Sequence, residues 1–94
     1  MMTPPVHHDP VRHLFEISID GHVGHLEYRE KQGRMTILHT IVPSPVGGRG
    51  LGAALVDAAL AYAKASGLGI ASECWYARER MIALGLDPDG ASPA

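Results

Sequence analysis

Cysteine is almost missing from this chain. Cys74 is the single one in 94 residues, so no internal disulfide can form, and a lone thiol fits a reducing compartment, the cytoplasm. Basic residues are few and scattered. Eight Lys and Arg against ten Asp and Glu give a net charge of −2, with no basic stripe that would favour nucleic acid. No apolar run approaches the ~20 residues of a membrane span. Met1-Met2-Thr3-Pro4-Pro5 lacks the apolar centre of a secretory leader. The absence of Gly-Lys-Ser/Thr removes the Walker phosphate loop. No metal is expected: His22 and His25 do not share a face at strand spacing, and adding Glu27 gives no ligand set of sensible geometry.

What is present fits one small domain. A chain this short buries only roughly 60–65% of its unfolded surface, so each large apolar residue counts. Residues 1–11 hold three prolines and the pair His7-His8 without periodicity, and read as a flexible N-terminal arm. Residues 12–86 form the domain and residues 87–94 a flexible tail. From Arg12 to Val42 the apolar pattern has period two. Phe15, Ile17 and Ile19 alternate with Glu16, Ser18 and Asp20. Asp20-Gly21 marks a hairpin, Leu26 and Tyr28 lie on one face of the next strand, and Lys31-Gln32-Gly33 is the following turn. The third strand, Arg34 to Val42, places Met35, Ile37, His39 and Ile41 on one face. Thr36, Leu38, Thr40 and Val42 occupy the other. Pro43 ends it.

Leu51 to Ser66 is an Ala/Leu-rich helix with Leu51, Leu55, Ala58, Ala59 and Tyr62 along one stripe, stopped by Gly67. Leu68 to Ser72 is a short strand, parallel to the third because a helix separates them. Trp75 to Leu84 is a second helix. The fold class is therefore α+β: three antiparallel strands, then a β-loop-α-β-α unit.

The loop carries the chemistry. Gly47, Gly48, Gly50 and Gly52 fall within six residues, between a strand and a helix. Glycines let backbone N–H groups crowd round a ligand, and the helix start aims unpaired N–H groups and its positive dipole end at the same spot. That combination suits a phosphate-bearing ligand. Gly48-x-Gly50-x-x-Ala53 also fits a dinucleotide fingerprint, but that pattern belongs to the first strand of repeated βαβ units. Here three antiparallel strands precede it.

These residues resemble the acetyl-coenzyme A-binding core of GNAT-type N-acetyltransferases, and more closely the minimal, stand-alone members of that group. The resemblance lies in Tyr28-Arg29, His39-Thr40-Ile41-Val42-Pro43, Gly48-Arg49-Gly50-Leu51-Gly52, Leu55-Val56 and Cys74. It covers residues 12–84. In the minimal branch a proline often precedes the cysteine; Ser72-Glu73 occupies that stretch here.

The resemblance implies a cofactor-like co-substrate, acetyl-coenzyme A, whose pyrophosphate is wrapped by Val46 to Gly52. The amides of Gly48, Arg49, Gly50, Leu51 and Gly52 are the donors, with Gly47 and Val46 completing the loop. Pantetheine would pair with the strand edge at Ile41 and Val42. His39 would be the base that frees the amine, since histidine titrates near neutrality. Cys74 would be either a nucleophile or the acid that protonates the leaving sulfur. The expected function is a small N-acetyltransferase using direct transfer to an unidentified amine. The alternative is a non-catalytic coenzyme A-binding module that acts as a sensor or partner surface. A monomer and a homodimer, paired through the first strand, both remain open.

Overall fold

Two tight turns shape the antiparallel half of the molecule. Asp20-Gly21 and Gln32-Gly33 all have positive φ, between 51° and 76°, which is the backbone of hairpin turns that follow the natural strand twist. They join β2 (Leu14–Ile19) to β3 (His22–Lys31), and β3 to β4 (Arg34–Ile41). The computed structural model describes residues 3–89. Within them, a short β1 (His7–Asp9) and a late β5 (Gly69–Ser72) complete one sheet in the order β1-β2-β3-β4-β5. The first three ladders are antiparallel and β4–β5 is parallel.

One face of the sheet is covered by α1 (Leu51–Ala65), which crosses from β4 to β5. Phe15, Ile17, Leu26, Tyr28, Met35 and Ile37 meet Leu51, Leu55, Val56, Ala59 and Ala63 there, all buried. The alanines keep the helix close to the strands. The second helix, α2 (Trp75–Ala83), buries Ala77 and Met81. Its Arg80 forks onto Asp57 of α1 at 2.9 and 2.7 Å.

The face assignment read from β4 needs correction. Ile37 lies opposite Tyr28 and His39 opposite Glu27, so Leu38 has no counterpart in β3. This β-bulge inserts one residue and reverses the alternation beyond it. Met35 and Ile37 point under α1, but His39 and Ile41 are exposed. Thr40 and Val42 take the α1 side instead, half-buried. A strict two-residue period cannot anticipate this, because the sequence Ile37-Leu38-His39 carries no turn residue.

Residues 7–9 also differ from the arm read in the sequence. They pair with Leu14–Glu16, because His8 finds an aromatic site. Its ring stacks on Phe15 at 4.2 Å and meets Tyr62 edge-on at 4.4 Å. Its Nε2 shares a hydrogen bond with the Tyr28 hydroxyl at 2.7 Å. At the other end, residues 87–89 lie against β5. The Ser72 N–H donates to Pro88 O at 2.9 Å, and Arg78 holds Asp89 at 2.8 Å. The rest of the expected tail, residues 90–94, falls outside the described residues.

Candidate functional site

β4 ends at Pro43, and the chain makes a 3-10 turn at Ser44–Val46 before α1. Val46 N–H donates to Pro43 O at 3.1 Å and Gly47 N–H to Ser44 O at 3.0 Å. The Val46 side chain is buried in the core and anchors the loop. The Val46 and Gly47 amides are thus already engaged by the protein. The next five differ. Among the described residues no acceptor takes the N–H groups of Gly48, Arg49, Gly50, Leu51 and Gly52, and the first bond of α1 runs from Ala54 N–H to Gly50 O at 3.0 Å. Gly50 is the α1 N-cap at φ 77°, ψ 13°, a left-handed conformation that needs no Cβ. These amides stand at the positive end of a fifteen-residue helix.

Gly48, Gly50, Leu51 and Gly52 border a cavity of about 310 Å³. Thr40 and Val42 of β4 form one wall, the loop glycines and Leu51 another, and Tyr76 of α2 the third. A Cβ on Gly52 would stand 2.9 Å from Tyr76 Cε2, so the ring rests directly on the α1 backbone. Arg49 is drawn away from the cavity by Asp20 in the β2–β3 turn, at 2.7 Å. Ile41 points its side chain to the opposite face and is half exposed.

Beside this cavity the sheet opens. The β4–β5 ladder ends with Ile37 opposite Ser72, followed by one bond from Glu73 N–H to Ile37 O at 2.8 Å. Beyond it, residues 38–41 of β4 have no strand partner on that side among the described residues. Cys74 stands at the fork as the N-cap of α2. Its N–H donates to Ser72 Oγ at 3.0 Å, and the Ser72 hydroxyl donates to Cys74 O at 2.9 Å. Its thiol donates to Thr40 Oγ1 at 3.5 Å.

Cys74 and His39 therefore do not meet. Cys74 belongs to the α1 side through Thr40, and His39 faces outward across from Glu27. Thr40, Ser72 and Tyr76 are the additions to the site. Ser72 and Tyr76 lie within two residues of Cys74 and were legible as neighbours; Thr40 depended on the bulge. No group of three metal-ligating side chains occurs among the described residues, and no helix there is long and apolar enough to cross a membrane.

A family model described as GCN5-related N-acetyl-transferase matches residues 14–83, from the start of β2 to the end of α2. No curated protein and no solved structure gives a significant match.

Proposed function

The chain belongs to the GCN5-related N-acetyltransferase family, and from that membership we propose a small enzyme that moves an acetyl group from acetyl-coenzyme A directly to an amine. One observation carries this reading. Five unengaged amides, from Gly48 to Gly52, stand at the α1 N-terminus beside a β4 edge that has lost its neighbour. The amides suit a diphosphate. The open edge suits a peptide-like pantetheine chain, which can bond to it as an added strand. A helix terminus alone contributes only ~0.3–1 kcal/mol at an exposed site, so the convergence of several donors matters more than the dipole.

In this reading the thioester lies in the fork between β4 and β5. The amine lone pair attacks the thioester carbon, the C–N bond forms and the C–S bond breaks. The departing thiolate takes a proton from the α1 side, where the Cys74 thiol and the Tyr76 hydroxyl are the available donors. The amine loses its proton toward the outer face, where His39 is the basic side chain. A Cys74 thiol that donates to Thr40 suits an acid better than a nucleophile, which supports direct transfer over an acetyl-cysteine route.

The separation of His39 from Cys74 also supports the second reading, a coenzyme A-binding module without turnover. Calorimetry with acetyl-coenzyme A, followed by intact-mass detection of acetylated amines, distinguishes the two. Binding with transfer is the expected result, binding without transfer supports the module, and no binding removes both.

A further inference from the structure

A second depression, of about 600 Å³, lies on the sheet face away from α1. Thr36 of β4 and Ala71 of β5, neighbours in register, form its floor. Arg29, Arg34 and Arg78 surround it. Arg29 meets Glu73 at 3.2 Å with both side chains more than half exposed, a pair that rearranges at little cost. Arg78 meets the exposed Asp89 at 2.8 Å and also donates to Ser72 O at 3.0 Å, which fixes its place at the rim. Among the described residues no carboxylate pairs with Arg34 at all. Glu73 and Asp89 also line the groove, so it carries three guanidinium groups against two carboxylates, and a guanidinium fork such as that of Arg34 fits a carboxylate or phosphate in two-point fashion.

The groove reaches the fork. Ser72 lines it and also hydrogen-bonds the Cys74 backbone. His39 stands on the same outer face, three residues along β4 from Thr36, roughly 7–10 Å at strand rise. The cavity on the α1 side is the one that suits the acetyl donor, so the outer groove is the side left for the acceptor.

We propose that the acceptor is an amine that also carries a carboxylate or phosphate, held by Arg34 with Arg29 and Arg78 while the amine reaches the His39 end. This rests on the acetyltransferase reading for the transfer itself: the C–N bond forms, the C–S bond breaks, the amine proton leaves to His39 and the thiolate is protonated from the α1 side. The anion site stands on its own geometry.

Two measurements test it. In the first, release of coenzyme A is followed with ω-aminohexanoate and with hexylamine. The aminocarboxylate is expected to have about tenfold higher kcat/KM, and Arg34→Glu to erase that preference with the thermal midpoint kept. Equal rates, or a preference for hexylamine, overturn the proposal. In the second, backbone amide resonances are followed by NMR as glutarate or inorganic phosphate is added, without coenzyme. Saturable shifts at Arg29, Arg34 and Thr36 are expected, and their absence overturns the anion site. Shifts in the groove with no acetyl-coenzyme A binding keep the anion site and remove the acetyltransferase reading. Acetyl transfer with no groove response does the reverse.

Discussion

At Gly52 the tolerance of the site can be measured in ångströms. Gly52→Ala places a methyl 2.9 Å from the Tyr76 ring. The ring is partly exposed and can swing outward, so the fold survives while the cavity wall shifts. Acetyl-coenzyme A affinity is expected to fall by about tenfold in calorimetry, with little loss of thermal midpoint. Cys74→Ala is expected to retain coenzyme affinity but lower turnover by about 10²-fold if the thiol supplies the leaving-group proton. Unchanged turnover would leave that task to Tyr76. Asp20→Ala frees Arg49 from an exposed pair, which costs less than ~1 kcal/mol of stability; calorimetry should then show tighter coenzyme binding as Arg49 turns to the phosphates. The glycines were legible one by one, since their spacing is local. The Asp20–Arg49 contact was not, because 29 residues separate the partners.

At the scale of elements, β1 has a built-in acid sensitivity. Burial against Phe15 and Tyr62 lowers the His8 pKa below its ordinary 6.5. Burial also pushes Tyr28 up to about 12, so the hydroxyl 2.7 Å from His8 Nε2 stays protonated. A charged His8 would have to be held in the same desolvated aromatic site. Because the folded pKa is depressed, the His8 contribution to stability is complete above pH ~6.5 and is lost as pH falls below it. The thermal midpoint should drop between pH 7 and about 5.5, and less so in His8→Phe, which keeps the stack. Three prolines and no alternation concealed this strand; its warrant is aromatic contact with residues far along the chain. The hairpins and α1 were readable because their signals are local: two positive-φ turns and a long Ala/Leu stripe.

At the scale of the molecule, helices cover one side of the sheet, and among the described residues no helix lies on the other. In the proposed mechanism donor and acceptor approach from these two sides and meet at the β4–β5 fork. Donor binding should therefore tie together β4, the glycine loop and both helices. At a ligand concentration of about 100 Kd it would add ~2.7 kcal/mol, which for a domain of this size raises the thermal midpoint by roughly 10–20 °C. A thermal scan with and without acetyl-coenzyme A checks this; a shift of only a degree or two would argue against the cavity as the donor site. The family match extends over residues 14–83, so β1 and the segment against β5 at residues 87–89 lie outside the matched part.

The unpaired Leu38 takes up one residue of chain that has no counterpart in β3. Swapping Leu38 for another apolar residue leaves every later position where it was. Removing it would leave a regular ladder with His39 still across from Glu27 and Thr40 still across from Leu26. Removing Leu38 and His39 together would set Thr40 across from Glu27, on the outer face and away from Cys74. The tip of β4 should therefore forgive the loss of one residue and not of two.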